Sequence, residues 1–537
     1  MAQIPDQKRR PERQHATRAA SGVRLLALAG AMALMGAASA QITRSDPYAT
    51  AQTAGDEPSA SPQALRIEPS ATARLTFTDN VGAAARNEKS DWIAEVAPAI
   101  AVSRESGRFS GDLRAQLRNI AYASESDRNT SFLSLFGRGQ IEAVDQLLFV
   151  DMDASVSRNS RSDLFGRASG DFLSDDSDDE TRLFSIGPRL EFGFGGDGRA
   201  TVRYLSRWFD GGVEADRRRV GEWRASASDP TGFGRFGWGL DYTRSDTRYD
   251  DLADSQVYQE TARATLFATV SPQLRLRAIA GRESTDYAVR SGESGTIKGG
   301  GVDWNPTDRT VISATVEDRI FGRGYDVSFR HRRPLSSWEL SYSRDISSSL
   351  ETFGSVFDDP LFRALYDGFA EAIPDPFQRE AFVRELLGLT TPGLRESFVT
   401  KAYFLDRRLR AGVSLIGARN VLALSLLSSD RERLDTVNVI DPNDDFAVFD
   451  RVRTNSATLT FDHRLSGLTG LNASLLRSRS KGSGTTRGDT RRSVLSVGLN
   501  TRLSPRSSGG LTYRHQRADG VTEFIENVLT ASLSIRF

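Results

Sequence analysis

Cysteine is absent from the 537 residues, and lysine nearly so: Lys8, Lys89, Lys298, Lys401 and Lys481 are the five lysines among 70 basic side chains. The first absence excludes a disulfide framework, thiolate metal sites and thiol nucleophiles together. The second makes positive charge in this chain a property of guanidinium groups. An excess of either sign is missing too, since 70 acidic side chains balance the basic ones, which argues against nucleic acid as a partner. With 38% hydrophobic residues the chain is too polar for a multi-span helical protein, which needs ~20 apolar residues per span. Histidine is scarce: beyond His15 there are only His331, His463 and His515, with no HExxH and no GxSxG motif. Asp462 and His463 are neighbours on a strand and face opposite ways, so they form no relay. No catalytic residue, metal or cofactor is expected. Gly232, Gly234 and Gly237 match GxGxxG, but they lie in a strand with no following helix, and the match is chance. The acidic loop Asp171 to Glu180 lacks the spaced ligands and glycine of a calcium loop and reads as solvated.

Residues 1–40 read as an export signal. Lys8, Arg9, Arg10, Arg13, Arg18 and Arg24 form a basic stretch, Leu25 to Ala37 an apolar run too short to span a bilayer, and Ala38-Ser39-Ala40 a cleavage site. Residues 41–69 are polar and aperiodic, as in a flexible periplasmic lead-in.

From Ser70 apolar and polar side chains alternate with period two, which places them on opposite faces of a strand. Phe109, Gly111, Leu113, Ala115 and Leu117 fall on one face of residues 108–118, against Arg108, Ser110, Asp112, Arg114, Gln116 and Arg118 on the other. The pattern recurs at 262–270 and 456–462 and reaches the last residue, Phe537. Residues 215–228 and 296–304 alternate poorly, and their neighbours require them as strands. Short turn signals (Gly195-Gly196-Asp197-Gly198, Asp229-Pro230-Thr231-Gly232, Ser271-Pro272-Gln273, Asn305-Pro306-Thr307-Asp308, Gly417-Ala418-Arg419-Asn420, Ser504-Pro505-Arg506) alternate with longer polar loops at 159–180, 246–256 and 430–449.

This layout predicts an all-β fold: a transmembrane antiparallel β-barrel over 70–537 with about 22 strands, or about 20 if the two weak segments merge. Such a chain belongs in the outer membrane of a Gram-negative cell, among its lipid and lipopolysaccharide. A closed sheet pairs every amide in lipid, and only the outward half of each strand need be apolar. A charge on the lipid face at the midplane costs ~2–4 kcal/mol, so the strand arginines are expected inside. Trp92, Trp208, Trp304 and Trp338 fall near strand ends, as an interfacial girdle requires; Trp223 and Trp238 fit less well.

Two groups of residues are candidates for function. The lumen-facing charges Arg114, Arg118, Arg203, Arg207, Arg275, Arg277, Arg408 and Arg410, with Asp112 and Glu191, either guide an anionic solute or stiffen the wall as arginine–carboxylate ladders, and the ladder reading is the stronger. The segment 357–396 breaks the strand pattern and reads as two short helices inserted in one long loop. Asp359-Pro360 and Asp375-Pro376 supply helix starts. Phe362, Leu365, Tyr366 and Phe369 form one apolar stripe; Phe382, Val383, Leu386 and Leu387 form another. These faces pack as a lid, enter the lumen as a constriction, or meet a partner.

The start of the barrel resembles a family of outer-membrane β-barrel proteins associated with the PEP-CTERM/exosortase system, within a broader β-barrel porin group. Glu68-Pro69-Ser70, Phe77-Thr78-Asp79-Asn80-Val81, Ser90-Asp91 and Val96-Ala97-Pro98 carry the resemblance, followed by a strand around Leu147 to Val156. It implies a link with exopolysaccharide production or export, with polysaccharide as a possible ligand, and the terminal Phe strand resembles the signal read by the barrel-assembly machinery. Two functions are expected from these readings: a porin-like or gated conduit, or an interaction barrel whose extracellular loops bind a surface polymer or assembly partner. A plugged 22-stranded transporter would need ~130 residues of plug before the first strand, more than 41–69 supplies.

Overall fold

Wherever apolar and polar residues alternate, the chain extends into a strand, and each strand pairs antiparallel with the next. The computed structural model describes residues 65–537 except 105–106, 161–177, 212–216, 251–255, 287–291, 349–361, 363–365, 367–378, 381–382, 385–399, 401, 435–444, 485 and 522. The export signal and most of the lead-in therefore lie outside the described residues. The first half of the sheet comprises β1 (Arg66–Thr78), β2 (Asp91–Arg104), β3 (Phe109–Tyr122), β4 (Thr130–Val144), β5 (Leu148–Ser160), β6 (Asp178–Phe194), β7 (Gly198–Asp210), β8 (Arg217–Phe233), β9 (Phe236–Tyr249), β10 (Gln256–Ser271) and β11 (Leu274–Thr285). The second comprises β12 (Glu293–Thr307), β13 (Thr310–Arg319), β14 (Gly322–Arg333), β15 (Ser336–Ser348), β16 (Tyr403–Ile416), β17 (Asn420–Arg433), β18 (Arg451–Arg464), β19 (Thr469–Ser483), β20 (Arg487–Ser504), β21 (Ser507–Gly520) and β22 (Phe524–Arg536).

These 22 strands form one sheet, and β22 returns to pair with β1 from Ser70 opposite Arg536 to Thr78 opposite Val528. The seam is also stitched from inside: the hydroxyls of Thr72 and Ser534 lie 3.0 Å apart, those of Thr76 and Thr530 3.1 Å, and Thr78 donates to Glu526 at 2.8 Å. Closure leaves no edge whose amides would face lipid.

Contacts between distant strands identify the concave face. Tyr403 at the start of β16 packs on Tyr249 and Val257 of β9 and β10 and donates to Thr247 at 3.3 Å, which only an interior path allows. The opposite face carries the exposed apolar side chains, among them Leu75, Val96, Leu266, Leu424, Leu475 and Leu533. Aromatic residues frame this apolar band. Phe77 meets Trp92 at 5.1 Å, Phe184 meets Trp208 at 5.5 Å and Tyr204 meets Trp223 at 4.7 Å towards one rim. Phe194 and Trp238, 5.9 Å apart, lie at the other with Trp304 and Trp338. Trp238 thus belongs to a girdle, contrary to the sequence expectation, because β9 starts at Phe236.

Several boundaries differ from those read in the sequence. β1 begins at Arg66, inside the segment read as lead-in. β8 runs on to Phe233, so Asp229-Pro230-Thr231-Gly232 is strand and the turn falls at Gly234, with φ of 73°. Both weak segments are strands: β12 alternates poorly because a Cβ at Gly299 or Gly301 would press on the carbonyls of Val316 or Ala314, so small residues are required there. Polar loops are shorter than expected, since strands of up to 18 residues outrun the lipid. At ~3.3 Å per residue and ~40° tilt, 14 residues climb ~35 Å against an apolar band ~25 Å tall.

That overreach corrects another expectation. Arginines near the strand ends on the side of the longer connections also point outward, as Arg244, Arg323, Arg453 and Arg479 do, because alternation continues above the hydrocarbon where charge is tolerated. The side with short turns also holds the start of β1 and the end of β22, which marks it as periplasmic by the usual arrangement of such barrels.

Helix is nearly absent: among the described residues the delimited elements are a 3-10 turn at Ser126–Arg128 and one short helix, α1 (Asp445–Val448). Apolar clusters lie inside the extracellular rim. Val81 packs with Ile93, Ile120, Tyr122 and Val528, and Phe446 and Phe449 of the β17–β18 connection pack with Ala402, Phe404 and Val452.

Candidate functional site: the barrel lumen

Much of the inner wall is built from carboxylates gripped by arginines on the same or nearby strands. Glu95 on β2 is 4% exposed and takes bonds from Arg74 on β1 at 2.6 Å and from Nε and Nη2 of Arg118 on β3 at 2.7 and 2.8 Å. Asp151 on β5 holds Arg189 at 3.0 Å and Arg203 at 3.3 Å, and Arg189 also pairs with Glu191. Glu222 meets Arg207 at 3.0 Å. Asp303 meets Arg277 at 3.2 Å and Arg275 at 3.7 Å, and Asp406 meets Arg408 at 2.5 Å. Asp112 stands opposite Arg138 in the β3–β4 register, and Arg410 continues the inner face of β16.

These residues lie on the inner face of their strands. The pairing of Arg118, Arg203, Arg207, Arg275, Arg277 and Arg408 with wall carboxylates favours ladders over an anion-selective ring. A recess of about 230 Å³ in the wall is lined by residues of the strands from β7 to β16. Arg319 is its hub, reaching Glu283 at 2.6 Å, Asp345 at 3.4 Å and Glu317 at 3.5 Å, while Arg263 reaches Glu317 at 3.2 Å.

The second component is the connection between β15 and β16. Of the segment 357–396 the structure describes Phe362, Tyr366, Arg379, Glu380, Val383 and Arg384, each helical; Leu365, Phe369, Phe382 and Leu386 lie outside the described residues. Among the described residues no helix with defined ends occurs there, so the two-helix reading is not supported. What is described packs inside the barrel. Phe362 and Val383 are fully buried, and Phe362 stacks on Tyr366 at 6.0 Å. The Tyr366 ring lies between two guanidinium groups, Arg379 at 4.2 Å and Arg114 at 5.0 Å, and its hydroxyl accepts from Arg379 at 3.1 Å. Burial pushes this phenol above its ordinary value, with Arg114 and Arg379 opposing the shift. Glu380 pairs with Arg114 at 3.8 Å and Arg384 at 3.7 Å.

Arg114 is the sixth residue of the 14-residue β3, counted from the short-turn end. The connection therefore leaves the rim at β15 and touches the far wall near mid-depth. Its return limb is fixed at the rim, where Arg218 of β8 donates to the Thr400 carbonyl at 2.9 Å. Sequence reading singled out Arg114 and Tyr366 but had no means of joining them. It missed Glu95 and Glu380. The signal for Glu95 was an acid between Ile93 and Ala97 on the buried face of β2.

Among the described residues no group of three histidine or carboxylate side chains is placed to hold a metal. The histidines stand apart, with His331 on Thr310, His463 on Asn420 and His515 on Asn527.

A closed antiparallel barrel with an apolar, aromatic-framed exterior and a charged interior defines an outer-membrane β-barrel protein of the Gram-negative envelope. No protein-family model matches the chain, and no curated protein matches its sequence. Among solved structures it is similar to the siderophore receptor PirA of Pseudomonas aeruginosa, at 10% identity and a TM-score of 0.44, covering 89% of this chain and 81% of that one. It is also similar to the FrpB iron transporter of Neisseria meningitidis (10% identity, TM-score 0.47, 88% and 81% covered). A third likeness is to a loop-deleted OmpT of Vibrio cholerae (8% identity, TM-score 0.31, 88% and 100% covered). Likenesses this loose carry no functional inference.

Proposed function

We propose that this protein is a gated conduit for a polar solute, with the β15–β16 connection as its gate. The observation that supports the reading is the contact of Glu380 and Tyr366 with Arg114, deep on the wall opposite their own strands. A barrel of 22 strands encloses a lumen wide enough to need filling. Here described residues of the β15–β16 connection reach into it and meet the far wall through Glu380 and Tyr366, so a shift in the energy of those contacts would change how often the lumen is open. The paired charges of the wall suit a neutral, hydroxyl-rich solute better than a free anion. Polysaccharide fits that description, and the association with exopolysaccharide production rests on the resemblance carried by Phe77-Thr78-Asp79-Asn80-Val81 and its neighbours.

A second reading, an interaction barrel whose extracellular loops bind a surface polymer, draws support from the apolar clusters that narrow the extracellular mouth. Planar-bilayer conductance of purified protein separates the two. Currents that appear or grow in Arg114→Ser, and grow further when residues 357–396 are deleted, support the conduit. A barrel that stays silent in wild-type and deleted forms, while folded, leaves the interaction reading.

A further inference from the structure

Outward-facing cations above the lipid band are mostly neutralised by neighbours. Arg451 and Arg453 share Asp430 at 2.5 and 2.7 Å, Arg479 pairs with Asp489 at 2.5 Å, and Arg517 pairs with Asp519 at 2.8 Å. Four cations in the same region are different. Arg477 and Lys481 on β19, with Arg487 and Arg491 on β20, are exposed; Lys481 faces Asp489 and Arg491 faces Asp519 across the sheet, but those two carboxylates already hold Arg479 and Arg517, so cations outnumber acids in the patch.

Register places these four together. Arg479 lies directly opposite Arg491, so Arg477 and Lys481, each two residues from Arg479, are diagonal neighbours of Arg491 at roughly 7–8 Å. Arg487 lies opposite Ser483, two residues beyond Lys481. Arg282 and Lys298 are likewise diagonal neighbours on the outer face, but they are two rather than four, and Lys298 faces Asp318 across the sheet. Depth is fixed by the same strands: Leu475 and Leu495 stand opposite each other one step below Arg477 and Ser493, and Ala473 with Val497 continue the apolar band downward. The patch therefore borders the hydrocarbon on the side of the longer connections, where acyl chains end and headgroups begin.

We propose that this patch is a binding site for the phosphorylated glycolipid of the outer leaflet, the lipid A part of lipopolysaccharide. Its acyl chains lie along the Leu475–Leu495 band while its phosphates meet the four cations. Charge complementarity and continuity with the apolar surface both point to this occupant. A soluble polyanion would have no use for the band, and an uncharged lipid none for the cations.

The test uses the full exported chain, purified in detergent, with bisphosphorylated lipid A and a dephosphorylated lipid A of the same acyl chains as probes, read by native mass spectrometry. Each basic residue near an anionic surface contributes about fivefold in affinity, so R477S/K481S/R487S/R491S should bind the bisphosphorylated lipid at least about tenfold more weakly. Wild type should prefer the bisphosphorylated lipid by a similar factor and lose affinity as salt rises. The variant R477K/R487K/R491K keeps the charge and should bind within about threefold of wild type. Equal binding by the quadruple serine variant, equal binding of the dephosphorylated lipid, or displacement of the lipid by a soluble acidic polysaccharide would overturn the assignment. Should the quadruple variant fail to fold, the phosphate preference and the salt dependence of wild type decide the matter alone.

Discussion

Replacing Glu95 by glutamine is a small change in shape and a large one in energy. The carboxylate accepts three guanidinium N–H bonds at 2.6–2.8 Å while 4% exposed. Glutamine removes the carboxylate that Arg74 and Arg118 share and turns a donor toward one of them. Breaking a buried pair by removing one partner costs ~3–5 kcal/mol, since the remaining charge is left uncompensated. Arg118 and Arg74 keep 14% and 20% side-chain exposure to the lumen and can turn toward water, which favours the lower end. A loss of about 3 kcal/mol is a shift of roughly 150-fold in the folding equilibrium. Urea unfolding of refolded barrel in lipid vesicles, followed by tryptophan fluorescence, reads it directly. A midpoint shift worth less than about 0.5 kcal/mol, the usual scatter of surface substitutions, would refute the view that this triad clamps β1 to β3.

Other expectations follow from the same structure. At Gly187 an added Cβ would run into the Tyr204 carbonyl, so Gly187→Ala should destabilise the β6–β7 pairing by about 1–3 kcal/mol, visible as a lower unfolding midpoint. Phe537→Ala removes the exposed terminal aromatic beside the seam and should slow assembly by reconstituted barrel-assembly machinery without lowering the stability of the finished barrel. The raised pKa of Tyr366 means that its stabilising contribution is present below the ordinary tyrosine value of ~10 and is lost as pH rises through the raised one. Ultraviolet difference titration of wild type against Tyr366→Phe should find one phenol ionising above the range of free tyrosine; a difference curve centred on the ordinary value would mean the ring is not buried against Arg114 and Arg379.

Strand character, the closed sheet and the face of each inward arginine were legible in the sequence, because a period of two is a local property of a chain that must show one side to lipid. The residues of 109–117 declared it without reference to anything distant. Where alternation failed, as at 296–304, the cause was a close approach of the neighbouring strand that glycine alone permits. Boundaries were less legible, since polar alternation above the membrane looks like loop, and so Arg477, Lys481, Arg487 and Arg491 were not foreseen on the outer face.

Composition and periodicity thus determined that this chain makes a barrel. They did not determine which charges meet. Glu95 joins Arg74 and Arg118 because three strands lie side by side in register, and Glu380 meets Arg114 because the sheet curves until β15 and β3 face each other across the lumen. Contacts of that kind depend on closure, and closure is a property of the whole sheet rather than of any segment within it.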